Sequence, residues 1–472
     1  MNRPLVLIIA MIASIVLAIL IGRLLTVNIV IPIAIVLGLF VGFLTFQNPE
    51  NGLIVIIFSM LLSPEIPIGT LAGPNNMASR AIGIRVDDVL IIVVFLAWLA
   101  HTAIDKNWKG FVRTPFNNIL LFMTTLYIVS TAIGIINGNV NLARGILFGL
   151  KYIEYLIIYW LVVNVSSKAS LPKYLYAGLI TFIIVMIHSY SLFGSVNRVY
   201  APFDSQAGGE PATLGGYYLI IYAILFSLIL HAKSTPVRVA IISLILISMP
   251  TFMKTLSRAS FLGFVPMVLS MLLLTRKRKI LFGLILLTGV LLMPILFQSY
   301  YTELIDRVKY TFTGAHMQGY QTLKLAGAKI EDQSALERVL SWERTVNVYF
   351  LKNARTMLIG NGITGIRFTE GQFFLLLGEL GLLGVITFYW MQIKIMLSSY
   401  KLYLTSDEPI TQSLALGMIA VFVGLTFQSL TTNTFIIVRI MEPFWFLVAI
   451  VAFLIEQNKD ARAQQQTVIK TV

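Results

Sequence analysis

The residues in this sequence with most chemical promise are two arginines and two glutamates, each set beside or inside an apolar stretch. Arg198 sits in "NRVYAPFDSQAGGEPATLGGYY", a polar loop with glycines and a proline that leads into an apolar run at Thr213. Arg258 sits in "TLSRASFLGF", where Ser257 and Arg258 directly precede another apolar run. A guanidinium is always charged and presents a planar fork of donors that matches phosphate oxygens. Two of them at one interface would suit a diphosphate. An arginine at a helix end also snorkels to lipid headgroups with no part in any reaction, and residue type alone leaves both readings open.

The glutamates share one segment, "TEGQFFLLLGELGLLG", from Thr369 to Gly384. Glu370 falls where the chain enters an apolar helix, a place where a carboxylate is cheap to keep ionised. It suits a general base, and it equally suits a simple cap on the helix N-terminus. Glu379 lies more than two turns deeper. A carboxylate at mid-helix depth costs roughly 2.5 to 3.5 kcal/mol on insertion scales, so Glu379 needs a partner, either a basic side chain or a helix end. Lys151 and Glu154 are three residues apart on one helix face, a spacing at which they neutralise each other.

Other reaction classes are excluded by what the sequence lacks. There is no Walker loop, no GxGxxG after a strand, no HExxH and no Asp-x-Asp pair to hold a metal and a nucleotide sugar. His101, His188, His231 and His316 are scattered without metal-ligand spacing, and cysteine is absent. No metal and no cofactor are expected.

The elements that must position these residues are membrane helices. Hydrophobic residues make up 57% of the chain and DEKR only 12%, about half the charged share of an average soluble domain. Apolar runs recur near 5 to 22, 25 to 46, 52 to 63, 87 to 103, 116 to 137, 147 to 164, 173 to 193, 213 to 230, 239 to 253, 259 to 274, 280 to 298, 372 to 393, 412 to 430 and 434 to 455. Most are long enough to cross a hydrocarbon core. The third and ninth are short and read as broken or partly re-entrant helices. The sequence therefore predicts an all-α polytopic membrane protein with about twelve to fourteen spans. The first run follows Met1-Asn2-Arg3 and reads as an uncleaved anchor.

The net charge of +14 collects in short loops between these runs, which points to membrane orientation and away from nucleic acid. Lys106, Lys109 and Arg113, then Lys168 and Lys173, Lys233 and Arg238, Arg276 to Lys279, and Lys394 with Lys401 fall on every second loop. That side, with both termini, is predicted to be cytoplasmic. The other side receives Arg198, Arg258 and the one long polar segment. The chain divides into transmembrane helices over 1–298, an extracytoplasmic loop over 299–370, C-terminal spans over 371–456 and a cytoplasmic tail over 457–472. Within the loop, Leu336, Leu340, Val346 and Phe350 recur at helical spacing and predict an amphipathic helix on the outer membrane surface. "GNGITG" after it marks a tight turn back into the membrane.

Four stretches in order, "TLSRASFLGF", "SALERVLSWERTVNVYF", "LIGNGITGI" and "EGQFFLLLGELGLLGVITF", resemble the O-antigen ligase and O-antigen polymerase superfamily of bacterial envelope glycosyltransferases. The resemblance spans Met253 to Tyr389 and, more loosely, the Arg198 loop, about two fifths of the chain. It implies a multi-span fold whose long outer loop covers a cavity in the outer leaflet. There a glycan on undecaprenyl diphosphate is transferred to a hydroxyl without metal or nucleotide. Arg258 matches the family's Ser-Arg arginine and Arg198 the arginine of the earlier loop, both on the diphosphate. Arg338 matches a further arginine of the family. Ligases carry a histidine nine residues before the acid that Glu379 matches, and that position here is Glu370.

A carboxylate in place of that histidine makes the sequence resemble the polymerases more than the lipid A core ligases. The resemblance implies an inverting displacement in which Glu370 takes the acceptor proton while Arg198, Arg258 and Arg338 bind the departing diphosphate, supported by Ser257 and Glu379. A carboxylate used this way near neutral pH needs burial or a like charge beside it. The implied partners are the undecaprenyl-diphosphate-linked donor, a glycan or lipid acceptor, membrane lipids, a chain-length regulator and a flippase, at a bacterial inner membrane with the site facing outward. A ligase is the alternative reading. A transporter or solute-uptake accessory protein is the alternative from another class, although transporters place polar residues at mid-depth in paired halves, and no paired halves are visible.

Overall fold

The computed structural model describes residues 30–69, 82–105, 112–204, 210–313, 323–325, 328–330 and 333–471. The run near 5 to 22, the start of the next one, Lys106, Lys109 and His316 lie outside the described residues. All twelve apolar runs read from residue 52 onward are helical. Among the described residues, nine helices are long and apolar enough to cross a membrane, and four further apolar helices are shorter. Their outward faces carry large apolar side chains, such as Ile136, Leu273, Ile280 and Val290, that only a hydrocarbon environment accommodates in such number.

Helices α1 (Val30–Gln47) and α2 (Pro49–Leu62) are joined at Asn48, whose side chain accepts the Glu50 N–H at 3.0 Å, with Pro49 in the first turn. The third apolar run is indeed short, 14 residues. It leads into an antiparallel hairpin, β1 (Glu65–Gly69) and β2 (Ile82–Arg85), that sets Arg85 opposite Glu65. Then follow α3 (Val86–Asp105), α4 (Asn117–Ile136), α5 (Leu142–Val165), α6 (Leu171–Ser191), α7 (Pro211–His231), α8 (Thr235–Lys254), α9 (Arg258–Leu274) and α10 (Lys279–Leu296). The ninth run, expected to be broken, is the 20-residue α8: Pro250 lies within its last turns and does not interrupt it.

The long polar segment is more structured than a loop. The chain breaks at Phe297, three residues after Pro294, and resumes as α11 (Gln298–Thr313). A short hairpin, β3 (Leu323–Leu325) and β4 (Ala328–Ile330), precedes α12 (Gln333–Arg344), a π-helical turn over Thr345–Phe350 and α13 (Ala354–Ile359). The chain then enters α14 (Gln372–Thr405), followed by α15 (Pro409–Gln428) and α16 (Val438–Thr471). α14 was expected to end near 393 with Lys394 and Lys401 in a loop. It runs on to Thr405, so both lysines ride on its last turns, because nothing between Val385 and Glu408 is a glycine or proline that would stop it.

The ends of the helices sort into two faces. At one, Lys168 pairs with Glu408 at 3.7 Å, Lys173 with Glu50 at 3.4 Å, and Lys277 donates to Gln412 at 2.7 Å. There Arg278, at φ 51°, reaches back to the last carbonyls of α7, including Ala232 O at 2.7 Å. At the other, Gln428 at the end of α15 donates to Ala212 O (2.9 Å) at the start of α7 and to Ser260 Oγ (3.1 Å) at the start of α9. Gln372 N donates to Ser429 O at 2.9 Å, tying the head of α14 to the same place. Arg198, Arg258, Arg338 and Glu370 thus share the face opposite the lysine-rich one.

Candidate functional site

The Arg198 loop and the α8–α9 turn meet side chain to backbone. Arg198 Nε donates to Thr255 O at 3.0 Å and Nη2 to Leu256 O at 3.4 Å, and Val199 N donates to Lys254 O at 3.2 Å. Those are the carbonyls that the end of α8 leaves without intrahelical donors. Leu256 holds a left-handed φ of 47°, a strained conformation for a branched side chain. That turn delivers Ser257, which caps α9 by accepting the Ser260 N–H at 3.4 Å and the Ser260 hydroxyl at 2.8 Å, and places Arg258 in the first turn of the helix. Both arginines are half-buried. Lys254 adds a third cation nearby, paired with Glu303 of α11 at 3.1 Å.

The second part of the site is where α12 crosses the head of α14. Arg338 and Trp342, one turn apart, both reach Glu370: Arg338 Nε donates to its carboxylate, and Trp342 Nε1 to its backbone carbonyl at 2.5 Å. Trp342 also stacks on Phe374, centroids 4.8 Å apart at 11°. Thr369 donates through its hydroxyl to Ser341 Oγ at 3.0 Å, and Asn433 Nδ2 donates to Thr369 O at 2.7 Å. The expected amphipathic helix is present, with Leu340 exposed on its outward side, but its inward side is this polar and aromatic row. Glu370 therefore stands half-buried beside the Arg338 guanidinium, where a base working near neutral pH called for burial or a like charge.

Glu379 has a structural partner of a kind the sequence left open. It is buried, and its Oε1 accepts the Thr364 N–H at 2.8 Å from the "GNGITG" turn. α14 is broken two residues later, at Gly381 with φ 66°. Around the break, Gly378 O accepts from Asn361 N (3.1 Å) and Asn361 Nδ2 (3.0 Å), Glu379 O accepts from Gly362 N (2.9 Å), and Ser130 Oγ of α4 lies 2.8 Å from it. A kink inside apolar surroundings exposes backbone groups that lipid cannot satisfy, and this turn satisfies them. Gly360, at φ 74°, touches it so closely that a Cβ would lie 2.3 Å from Glu379 C. Gly360→Ala is expected to cost about 1 to 3 kcal/mol, read as a lower unfolding midpoint of the detergent-solubilised protein, with Gly289→Ala in open space as the unchanged control.

A group of charges that the sequence reading largely missed lies under the same face. Arg85 donates from Nη2 to Met60 O at 2.8 Å, pairs with Asp87, and lies 3.6 Å from Glu442 Oε2. Lys151 pairs with Glu154 at 3.2 Å, as expected, and also with Asp88 of α3. Arg439 donates to Leu61 O (2.9 Å) and Ser63 O (3.2 Å). The signal in the sequence was the run of charges in "GIRVDDVL" and "VRIMEPFW", where apolar helices begin. Carboxylate oxygens of Asp87, Asp88 and Glu442 lie within 4.8 Å of one another, and Arg85 shares that space, a poor arrangement for a divalent ion.

Asp204, in the loop before α7, faces this group. Burial pushes its carboxyl above the ordinary range, against the opposing effects of the Glu210 N–H, Arg439 and Arg85. A raised folded-state pKa means the ionised form is disfavoured by folding, so Asp204 costs nothing in acid and weakens the fold as pH rises through its folded pKa. Asp204→Asn is expected to raise the unfolding midpoint at neutral pH, with the gain vanishing below the ordinary aspartate range. A gain that grew on acidification would contradict this.

The fold defines an all-α, multi-pass membrane protein, with the candidate residues Arg198, Arg258, Arg338 and Glu370 at one end of the bundle. No protein-family model matches the chain, and no curated protein matches it.

Proposed function

We propose that this protein is an envelope polysaccharide polymerase that transfers glycan repeat units from undecaprenyl diphosphate to a growing lipid-linked glycan. The observation that carries this reading is the docking of Arg198 on the Thr255 and Leu256 carbonyls, which brings two arginines together beside the Ser257 cap. Such a pair at the membrane boundary suits the charge that gathers on a departing diphosphate.

In the proposed reaction the acceptor hydroxyl attacks the anomeric carbon, its proton passes to the Glu370 carboxylate, and the bond to the diphosphate oxygen breaks with inversion. The electron pair of that bond leaves on the diphosphate, held by Arg258 and Arg198. The Arg338 contact gives Glu370 a way to be released on cue: a diphosphate competes for the Arg338 guanidinium, and its capture uncovers the carboxylate. On this reading the charged face of Arg198 and Glu370 is extracytoplasmic and the lysine-rich face cytoplasmic.

The test is glycan chain length on gels from cells lacking the native gene and complemented with wild type, Arg258→Ala, Arg198→Ala or Glu370→Gln. The expected result is loss of long chains with accumulation of single lipid-linked repeats in all three variants. Long lipid-linked chains that never reach their acceptor would instead make the protein a ligase, and unchanged glycans with normal expression would favour a transporter. The Arg338 step makes its own prediction: Arg338→Ala raises KM for the lipid-linked donor at least about tenfold, the loss of one charge-assisted phosphate contact, in a purified assay at saturating acceptor.

A further inference from the structure

We infer that the buried charge group at the head of α3 and α16 is a site for one small exchangeable cation, a proton or an alkali ion, held by Glu442 together with Asp87. This does not rest on the glycosyltransferase reading and uses none of its residues.

The first argument is charge. Among the described residues, four carboxylates (Asp87, Asp88, Glu154 and Glu442) are gathered with three cations (Arg85, Lys151 and Arg439), which leaves one negative charge in excess. Asp204, on the outer side, adds to the excess. The charged and titratable groups near Glu442 come from four elements: Arg85 from β2, Asp87 and Asp88 from α3, Glu154 and Tyr155 from α5, and Arg439 from its own helix. Glu442 and Asp87 are fully buried, and an uncompensated carboxylate inside a protein recruits a positive charge or takes up a proton.

The second argument is hydrogen bonding. Among the described residues, neither Glu442 oxygen has a hydrogen-bond partner, although the carboxylate is directed at Asp87 and Asp88. Among the described residues its closest cation is Arg85 Nη2 at 3.6 Å, too long for a hydrogen bond. Arg85 Nη2 is itself engaged by Asp87 and Met60 O, while Arg85 Nε and Nη1 have no hydrogen-bond partner among the described residues.

The third argument is access. Lys151 and Asp88 are partly exposed, with side chains 21% and 17% accessible, and they link the buried pair to the surface through Arg85, whose backbone N–H donates to Asp88 at 3.0 Å. A small cation can exchange along that line of polar groups.

The experiment uses the full-length protein in detergent, with two readouts. Unfolding midpoints are compared in sodium, lithium, potassium and choline chloride at one ionic strength, and infrared difference spectra across a pH titration report protonated carboxyl groups. An alkali ion as ligand gives a rise of roughly 2 °C or more with one cation over choline, abolished in Glu442→Gln. A proton as ligand gives no cation preference but a carboxylic acid band that persists at neutral pH and disappears in Glu442→Gln. Asp87→Asn serves as the second variant where Glu442→Gln is not recovered folded. Wild-type protein with neither a cation preference nor an acid band at neutral pH overturns the proposal.

Discussion

Arg258→Ala is expected to reduce polymer formation by about 10²- to 10³-fold, the loss typical when one donor to a developing anion is removed, with stability little changed. Arg258 stands in the first turn of α9, half-buried, and the cap that starts the helix is made by Ser257 and survives its loss. Arg198 has a second duty. Its fork grips the carbonyls of Thr255 and Leu256 and holds the left-handed Leu256 that aims Arg258. Arg198→Ala should therefore lower activity as much and also lower the unfolding midpoint. Arg198→Lys keeps the charge but cannot hold two carbonyls from one planar group, so it should recover less than a tenth of the lost activity. Full rescue by lysine would show that charge alone matters and that the docking does not. The double variant Arg198→Ala/Arg258→Ala should be scarcely worse than either single one, since the two residues act as a unit.

How much of this could be read from the sequence follows from what determines each feature. The spans were legible because burial in hydrocarbon imposes runs of apolar residues that need no tertiary information. Their ends were less so: α14 passes beyond the apolar stretch because Lys394 and Lys401 are good helix residues, and no breaker precedes Pro409. The gathering of Arg198, Arg258 and Glu370 on one face was legible from loop parity. The Arg338–Glu370 contact was not, since it depends on how α12 crosses α14, which is set by Trp342 stacking on Phe374. Glu379 announced itself as a buried carboxylate in need of a partner, but its partner is a backbone N–H of a glycine-rich turn, and no side-chain pattern encodes that. Apart from the Lys151–Glu154 pair, the Arg85 group went unseen for a related reason. Its members come from β2, α3, α5 and α16, the last of them hundreds of residues from the others, and singly each resembles a charge that ends a helix.

Arg85→Ala is expected to have the largest effect on stability, about 3 to 5 kcal/mol, the usual cost of removing one partner from a buried ionic group. Arg85 is the common neighbour: it contacts Asp87, lies beside Glu442 and ties β2 to α2 through Met60 O. Carboxylates that share it hold its guanidinium charged against the cost of burial. Without it, Asp87 and Glu442 confront each other while buried, and the start of α16 loses its link to the hairpin. The measurement is the yield of folded protein after membrane extraction together with its unfolding midpoint. Adding Glu442→Gln to Arg85→Ala should restore more than half of the loss, because the repulsion goes with the charge. Adding Glu303→Gln, on the other side of the face, should restore none. If Arg85→Ala proved as stable as wild type, the charges would not be coupled through this residue, and the group would be only a set of independent helix-end side chains.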